Sequence, residues 1–423
     1  MKISIIYRLT RYNRQSFCAV RGALERDGIP EDVDTFFLRP REGIKEVKGL
    51  TRKYDRSLIC YSFTTPQGRA VEKEVTALKN YLSRQQGVIL IAGGPHPSGA
   101  IKQTLDMGFH CVVKGEGEET FPRLVQSLKE QRDVKEIQGI SYKHDGRIIS
   151  NPAPPSIDLD LYPPFAPQSR MFGKIELSRG CPFGCRFCQT SFLFGSAMRH
   201  RSVDAIVKYG KMTVERGLKD IHFISPNALA YGSCDGRSIN YEALEALLSS
   251  LRRAIGNSGN IHLGSYPSEV RPEMVTKDAL SLIKEHCNNK YILIGAQSGS
   301  PRQLDHLKRG HTIEEVYNAV EIILGCGFKA YVDFIFSLPG EEDEDRELTL
   351  KAIKDLTRMG AIIHGHTFMP LAGTPLAQEI PSVIPDAFRR ELKKLASLTR
   401  LFGQWEAQEK IGKGFCTKTI GPG

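Results

Sequence analysis

The stretch Cys181-Pro-Phe-Gly-Cys185-Arg-Phe-Cys188 follows a predicted strand at Lys174–Leu177. Its spacing lets one short loop bring three thiolates around a single inorganic core, and soft thiolates select zinc or an iron–sulfur cluster. A structural zinc site needs a fourth ligand, for which His200 and Cys234 are candidates without finger-like spacing. Three ligands around a four-iron cluster leave one iron open to an outside ligand. The loop therefore predicts a metal centre at Cys181, Cys185 and Cys188.

The strand before this loop opens a series of alternating strands and helices. Six strand–helix units predict a partial parallel (β/α)6 barrel over residues 171–380, with the chemistry on the loops that follow the strands. A helical C-terminal extension is expected over residues 381–423, with its helix at Asp386–Gln408 and a loose final dozen residues. The further barrel strands are predicted at Asp220–Ser225, Asn260–Tyr266, Lys290–Ala296, Lys329–Phe336 and Ala361–Met369.

A second alternating series occupies residues 1–151. It predicts an α/β, doubly wound (Rossmann-like) domain, in which ligands bind beyond the carboxyl ends of the strands. A hairpin with Asp145-Gly146 at its turn closes this domain, and a stiff, extended proline-rich linker is expected over residues 152–170. The predicted strands are Lys2–Tyr7, Val33–Leu38, Ser57–Tyr61, Val88–Ala92 and His110–Val113, and the predicted helices lie near Asn13–Arg26, Gln67–Arg84, Ser98–Met107 and Glu118–Glu130.

Composition narrows the class of protein. The 423 residues carry a net charge of +10, and 40% are hydrophobic, without the run of about 20 apolar residues that a membrane span needs. The N-terminus lacks the features of a signal peptide, and basic residues form no stripe with interleaved aromatics that would bind nucleic acid. We therefore expect a cytoplasmic enzyme with no membrane or nucleic-acid partner, in which the ten cysteines stay reduced.

The cysteine loop, with Phe187 before its last cysteine, resembles that of the radical S-adenosylmethionine (SAM) superfamily. The resemblance implies a [4Fe–4S] cluster on the three cysteines, whose open iron binds SAM and whose reduced form cleaves it. Segments at Gly295–Ser300, Lys308–Thr312, Asp333–Glu341 and Phe368–Pro375 resemble later barrel motifs of the superfamily, although Gln297 stands where relatives often have Glu. The implied SAM-binding residues are Ser225, Asn227, Gln297, Ser298 and Asp333.

Two of these assignments leave alternatives open. Ser225-Pro226-Asn227 is equally consistent with an ordinary polar turn. Arg199 and Arg201 are candidates to pair with the SAM carboxylate, or they form a solvated helix entrance.

The loops of the N-terminal series resemble those of the cobalamin-binding domain found upstream of many radical SAM barrels. The resemblance rests on Gly93-Gly94-Pro95-His96 and Gly115-Glu116-Gly117-Glu118, with Ser62–Pro66 in the same layer. Because the motif Asp-x-His-x-x-Gly is absent, no histidine is expected below the cobalt. The implied cobalamin contacts are Ser62, Thr64, Gly93, Gly94, Pro95, His96, Gly115, Glu116 and Gly117.

Together the two resemblances imply a cobalamin-dependent radical SAM C-methyltransferase, which transfers a methyl group from methylcobalamin to an unactivated sp3 carbon. The central step of this chemistry requires no acid–base pair, so no catalytic acid–base residue is predicted. The motif order resembles a group from methanogenic archaea that modifies methyl-coenzyme M reductase, which implies a glutamine of the reductase alpha subunit as protein or peptide substrate and an electron donor as partner. The alternatives are a radical enzyme that methylates or cyclises a small metabolite, and a non-catalytic cobalamin-binding regulator.

Overall fold

The computed structural model describes residues 1–82 and 87–416. The chain divides into two units, each with its own core. Met1–Lys174 and Leu371–Gly373 form the first, and Ile175–Pro370 and Thr374–Gly423 form the second. Within the described part of the chain, none of the helices combines the length and hydropathy needed to cross a bilayer.

The first unit is built on a seven-stranded sheet with the strand order β2-β1-β3-β4-β5-β6-β7. The first five strands run parallel, and β6 and β7 add an antiparallel hairpin at one edge. The strands are β1 (Ile3–Arg8), β2 (Val33–Leu38), β3 (Arg56–Ser62), β4 (Val88–Gly93), β5 (Cys111–Val113), β6 (Ile140–His144) and β7 (Arg147–Ser150), and the helices are α1 (Arg14–Arg26), α2 (Ile44–Thr51), α3 (Gly68–Leu82), α4 (Pro95–Gly99), α5 (Ile101–Met107) and α6 (Thr120–Lys129).

The central strands are apolar on both faces, as parallel strands covered by helices on each side must be. β1 is buried along its whole length and β3 along all but its first residue. The sequence missed α2, a short helix between β2 and β3. It also fused α4 and α5, which are separated at Ala100, a residue with non-helical backbone angles.

The proline-rich segment is packed along α1 and is not a free spacer. Phe165 is fully buried, and the Glu25 carboxylate accepts hydrogen bonds from the amides of Gln168 (2.9 Å) and Ser169 (2.8 Å). Only glycine fits at position 22, because a Cβ there would lie 2.5 Å from the carbonyl oxygen of Phe165. Buried contacts therefore hold the proline-rich segment within its own unit.

The second unit is an open parallel barrel in two sheets, β12-β11-β8 and β13-β14-β15-β16, with β9 and β10 as a small antiparallel pair. A parallel bridge between Val270 and Ile294 joins the two sheets. The strands are β8 (Ile175–Glu176), β9 (Ser178–Arg179), β10 (Arg199–His200), β11 (Asp220–Ile224), β12 (Asn260–His262), β13 (Tyr291–Gln297), β14 (Lys329–Phe336), β15 (Ile362–Thr367) and β16 (Leu401–Phe402).

Helices follow the strands as a partial barrel requires. They are α7 (Thr190–Phe194), α8 (Val203–Glu215), α9 (Tyr241–Ile255), α10 (Lys277–His286), α11 (Pro301–His306), α12 (Ile313–Gly325), α13 (Asp343–Met359), α14 (Asp386–Ser397) and α15 (Trp405–Cys416). The expected α/β class, with a doubly wound sheet domain, a partial barrel and a helical tail, is confirmed.

The tail departs from prediction in its detail. The expected single helix over Asp386–Gln408 is interrupted by β16, which pairs in parallel with β15 and lengthens the barrel sheet. Gly403 has φ +122° and a Cβ there would lie 2.2 Å from the carbonyl oxygen of Gly365, so the chain leaves β16 in close contact with β15. The final residues were expected to be loose, but α15 continues to Cys416, and residues 417–423 lie outside the described part.

Candidate active site and cofactor-binding loops

The three-cysteine loop is fixed by backbone bonds at both ends. Gly180 has φ +92°, and a Cβ there would lie 2.1 Å from the carbonyl oxygen of Ala197, so only glycine fits. The Cys181 amide donates to the carbonyl oxygen of Gly195 (3.1 Å), and the Arg186 amide donates to that of Leu307 (3.0 Å). These contacts pin the loop to the barrel rim, where the sequence placed it.

Hydrogen-bond donors lie beside the cysteine sulfurs. Arg309 Nη1 lies 3.5 Å from Cys185 Sγ, and the Thr190 amide donates to Cys188 Sγ at 3.5 Å. Burial raises the pKa of the thiols of Cys181 and Cys188. A protein buries thiols at this cost most readily where a metal takes the thiolate, and donors to the sulfur are typical of iron–sulfur sites.

Neither of the two candidates for a fourth zinc ligand is suited to that role. Both ring nitrogens of His200 are already bonded, Nδ1 to Ser178 Oγ (2.8 Å) and Nε2 to the carbonyl oxygen of Ser233 (3.0 Å). Cys234 is exposed on the loop after β11. The three cysteines therefore remain a three-ligand set in the described residues, which fits a cluster with an open iron better than a closed zinc site.

Arginines surround the loop. Arg271 and Arg237 both lie over the ring of Phe183, at 3.5 and 4.7 Å from its centroid. Arg271 also donates to the carbonyl oxygen of Arg309, and burial together with the charge of Arg309 lowers the Arg271 pKa. The sequence did not predict Arg309 and Arg271 as site residues, although Arg309 lies in the Lys308–Thr312 motif.

The side chain of Gln297 lies close to Arg309. It ends β13 with φ +74°, and its side chain covers Gly295, where a Cβ would lie 2.5 Å from Gln297 Nε2 and 3.2 Å from Arg309 Nη2. The predicted SAM residue therefore neighbours the guanidinium that contacts the cluster loop.

Other predicted SAM residues are engaged within the fold. Ser298 Oγ lies 3.2 Å from Thr349 Oγ1 and accepts from the Ser300 amide. Ser225 Oγ donates to the carbonyl oxygen of Asn227 (2.9 Å), which is the polar-turn alternative. Asn227 is fully buried and its Oδ1 has no hydrogen-bond partner. Its amide oxygen is therefore the atom at this turn that could still accept a hydrogen bond.

Of the two arginines near α8, Arg201 is buried. Arg201 is 2% exposed, and its Nε donates to the carbonyl oxygen of Glu176 at 3.1 Å. Arg199 pairs with Arg179 in the β9–β10 ladder. The solvated alternative is wrong for Arg201.

Asp333 belongs to a polar centre inside the barrel. Its Oδ1 lies 2.8 Å from His364 Nδ1, and His366 Nε2 lies 3.2 Å from the same nitrogen. Burial, and then the negative charge of Asp333, raises the pKa of Glu269 to about 7. The ligand atoms of Asp333, His364 and His366 lie within 4.8 Å of one another. The sequence missed both histidines, although a His-x-His pattern in a strand puts two imidazoles on one face.

In the first unit, the predicted cobalamin loops follow β3, β4 and β5. Gly94 has φ +90°, and a Cβ there would lie 2.6 Å from Ser62 Oγ, so the loops after β3 and β4 pack closely only with glycine. The Gly115 amide donates to Ser98 Oγ at 3.0 Å. Pro95 begins α4, Thr64 caps the turn before α3, and Gly117 packs against Val20.

Two polar side chains in these loops differ in whether the fold satisfies their hydrogen-bonding atoms. Glu116 Oε2 accepts from the Ile157 amide at 2.9 Å, so this carboxylate holds the backbone of its own unit. His96 is 3% exposed; its Nδ1 lies 3.1 Å from Thr65 Oγ1, while its Nε2 has no partner. Burial lowers the His96 pKa to about 4, which keeps the ring neutral. An orphaned buried nitrogen near Gly68 is the kind of group that a bound cofactor would satisfy.

Family models match both units. Residues 175–353 match the radical SAM superfamily and residues 12–125 match the B12 binding domain. An uncharacterized methyltransferase of Pyrococcus horikoshii is 30% identical over 345 residues, which cover 78% of this chain and 69% of the relative. The chain belongs to the radical SAM superfamily.

Further comparisons agree with this family. A tRNA-2-methylthio-N(6)-dimethylallyladenosine synthase of Magnetococcus marinus is 27% identical over 337 residues, covering 78% of this chain and 71% of the relative. The fold is similar to the radical SAM methyltransferase TsrM of Kitasatospora setae, solved with cobalamin and a [4Fe–4S] cluster, at a TM-score of 0.69 and 16% identity over 90% of this chain and 78% of that one. The prediction of an enzyme of the radical SAM methyltransferase type is confirmed.

The domains also confirm the expected cofactors. A radical SAM domain implies a [4Fe–4S] cluster and SAM, and a B12-binding domain implies cobalamin. The residues present fit these groups, since the cysteine loop offers three sulfurs with N–H donors beside them, and the orphaned His96 Nε2 lies in the predicted cobalamin loops.

Proposed function

We propose that the protein is a cobalamin-dependent radical SAM C-methyltransferase that methylates an unactivated sp3 carbon. The observation that carries this proposal is the presence, in one chain, of the three-sulfur loop at the rim of a partial barrel and of a B12-binding sheet unit. When bound, the cofactors supply the methyl group and the radical that activates the carbon, which is chemistry that side chains do not provide.

The chain's own residues bind and orient. Cys181, Cys185 and Cys188 hold the cluster, and Arg309 adds a fixed positive charge beside Cys185. Gln297 and Asp333 are buried on β13 and β14, and they are the side chains on these strands that we assign to SAM. Burial of these groups keeps water from the reacting atoms, which protects a radical from quenching.

For the substrate, we propose a glutamine residue of the methyl-coenzyme M reductase alpha subunit, presented as a flexible segment. The support is the motif order, with Ser62–Pro66 in the first unit and Ser225–Gly232 in the second. An external electron donor would reduce the cluster. The competing proposals are methylation or cyclisation of a small metabolite and a non-catalytic cobalamin-binding regulator.

Anaerobic incubation of the reconstituted protein with SAM, cobalamin, a chemical reductant and a glutamine peptide from the reductase tests this proposal. Mass spectrometry should find 5′-deoxyadenosine and a peptide heavier by one methylene unit. A cyclised product without an added methylene unit would indicate the competing proposal, an enzyme that cyclises its substrate. A peptide that gains a methylthio group would indicate methylthio transfer. A Cys185→Ala variant that retains full function would favour the regulator.

A further inference from the structure

The short helix α7 lies directly against the cysteine loop and presents an aromatic ring to solvent. It begins two residues after Cys188, and Ser191 Oγ donates to the carbonyl oxygen of Cys181 at 2.8 Å. The amide and the hydroxyl of Thr190 lie 3.5 and 3.3 Å from Cys188 Sγ. Phe192, in the middle of this helix, is 48% exposed. The helix is therefore fixed to the first and the last cysteine, while its apolar ring remains in solvent.

An exposed arginine is attached to the same loop. Arg237 Nη2 donates to the carbonyl oxygen of Pro182 at 2.7 Å, and its guanidinium lies 4.7 Å from the centroid of the Phe183 ring. The carbonyl group of Pro182 directly follows that of Cys181, which accepts from Ser191. Because α7 and Arg237 bond to consecutive residues, they are neighbours on the cysteine loop.

The surroundings of this loop carry an excess of positive charge. Residues 177–203 include four arginines and no Asp or Glu. Arg179 is balanced by a glutamate, but Arg186 and Arg237 form no ion pair with a carboxylate in the part of the chain that the structure describes. The nearby Asp235 carboxylate accepts instead from backbone amides of its own turn. Uncompensated positive charge at a surface attracts an acidic partner.

The tip of the cysteine loop is uncovered as well. Gly184 is exposed, and a Cβ there would meet no heavy atom within 4 Å beyond its chain neighbours. Cys181 and Cys188, before and after this tip, are only partly buried. A partner can therefore approach the loop from outside. We refer to Gly184, Phe192 and Arg237 as the outer face of the cysteine loop.

The composition and position of this face fit a transient protein partner. Aromatic and arginine side chains are enriched in protein–protein interfaces, and weak redox encounters bury less surface than stable complexes do. The face is bonded to the first and the last cysteine, which favours a partner that delivers an electron over one that delivers the carbon to be methylated. Its charge favours an acidic partner.

We propose that the outer face of the cysteine loop is the docking site for an acidic protein that carries one electron. Phe192 supplies the apolar contact, and Arg237 supplies the charge that attracts the carrier. The docked carrier gives up one electron, which passes to the cluster held by the three cysteines, and no covalent bond forms or breaks in this transfer. This inference rests on the proposed function, because it names the face to which the external electron donor binds.

The test uses the full-length reconstituted protein and an acidic ferredoxin as the carrier. Fluorescence anisotropy of labelled ferredoxin measures binding, and stopped-flow absorbance measures the rate constant for oxidation of reduced ferredoxin, both over a range of ionic strength. The variants are Phe192→Ser and Arg237→Glu.

Matched controls come from the opposite end of the barrel strands. Leu218, 44% exposed, precedes β11, and the exposed Arg253 lies in the last turn of α9, before β12. The cysteine loop, in contrast, follows a strand. Leu218→Ser removes a similar apolar side chain, and Arg253→Glu changes the net charge by the same amount as Arg237→Glu.

The wild-type rate constant should fall at least about tenfold between about 0.01 and about 1 M ionic strength, because the Debye length shortens from about 30 to about 3 Å. Arg237→Glu should weaken ferredoxin binding about fivefold at low ionic strength and approach the wild type at high ionic strength. Phe192→Ser should weaken binding about threefold at every ionic strength. Both controls should keep the wild-type values.

A second measurement separates docking from an effect on the cluster. With saturating dithionite as a small reductant, Phe192→Ser should form 5′-deoxyadenosine at the wild-type rate, whereas its ferredoxin-driven rate should fall. Equal losses in the dithionite-driven and ferredoxin-driven rates would assign Phe192 to the cluster environment and overturn the docking face.

Other results would also overturn the proposal. These are wild-type binding that does not depend on ionic strength, equal weakening in Arg253→Glu and Arg237→Glu, and preferential binding of a short RNA at this face. Ferredoxin binding with the expected variant effects but without peptide methylation contradicts the proposed function and retains the docking face. Peptide methylation with ferredoxin binding unchanged in both variants retains the proposed function and overturns the docking face.

Discussion

Arg309 Nη1 lies 3.5 Å from Cys185 Sγ. Arg309 is 8% exposed, its Nη2 donates to the carbonyl oxygen of Gly295 at 2.7 Å, and no carboxylate of the described residues forms an ion pair with it. A buried guanidinium without a carboxylate partner is costly unless another anion neutralises it. The thiolates of a bound cluster would be such an anion, and the arginine and the cluster would then stabilise each other.

Replacing Arg309 with Met should lower the midpoint potential of the reconstituted cluster. Reduction adds a negative charge, and removal of a nearby buried positive charge disfavours it. We expect a decrease of about 60 mV, which is a tenfold change for a one-electron couple. A redox titration in the absence of SAM, monitored by electron paramagnetic resonance, measures this shift in midpoint potential. Arg358→Met, at an exposed surface position, should leave the potential unchanged, and an unaltered potential in Arg309→Met would remove the arginine from this role.

Substitution of Cys185 by Ser should reduce the iron content and the visible absorption of the reconstituted protein to a small fraction of the wild-type values. The reason is that a cluster with three protein ligands needs all three thiolates. The exposed Cys234 provides the matched control, and Cys234→Ser should keep its full iron content. Iron loss in Cys234→Ser as well would indicate a fourth protein ligand.

Glu269 should make the folded state more stable at low pH than at high pH. Its pKa is raised to about 7 in the folded protein, so the folded state holds a proton that the unfolded chain releases near its ordinary carboxyl pKa. The stabilisation is fully present below that ordinary pKa and is lost as pH rises through about 7.

Thermal unfolding at a series of pH values measures this effect. Glu269→Gln should flatten the decrease in stability between acid and mildly basic pH by about 2 kcal/mol. The exposed Glu347 supplies the control, and Glu347→Gln should retain the wild-type pH profile. The same slope in both variants would contradict a buried, protonated Glu269.

Gly94→Ala should abolish cobalamin uptake and destabilise the first unit. The new Cβ would lie 2.6 Å from Ser62 Oγ in a backbone with φ +90°, so it combines strain with a clash between two predicted cofactor loops. Gly28 has φ +83° with nothing within 4 Å of its Cβ position. Gly28→Ala should therefore cost only the backbone strain, about 1 kcal/mol, and should keep cobalamin binding as measured by absorbance after gel filtration. Equal cobalamin loss in both would attribute the effect to strain alone.

The local pattern of the sequence was sufficient for most elements of the fold. Aromatic and β-branched residues are concentrated in Val33–Leu38 and Lys329–Phe336, and both are strands with the predicted bounds, because β-propensity is a short-range signal. The short helix Ile44–Thr51 and the strand Leu401–Phe402 were missed. The strand exists only through its pairing with Ile363 and His364, a contact that no local pattern encodes.

The site divides in the same way. The three-cysteine loop and the glycine-rich loops could be predicted from the sequence, since residue spacing and positive backbone angles are properties of consecutive residues. The contact of Arg309 with Cys185 and the meeting of Asp333, His364 and His366 inside the barrel arise only in the folded chain. These residues are distant in sequence, and strand register and burial, which arise when the barrel closes, bring their charges and protons together.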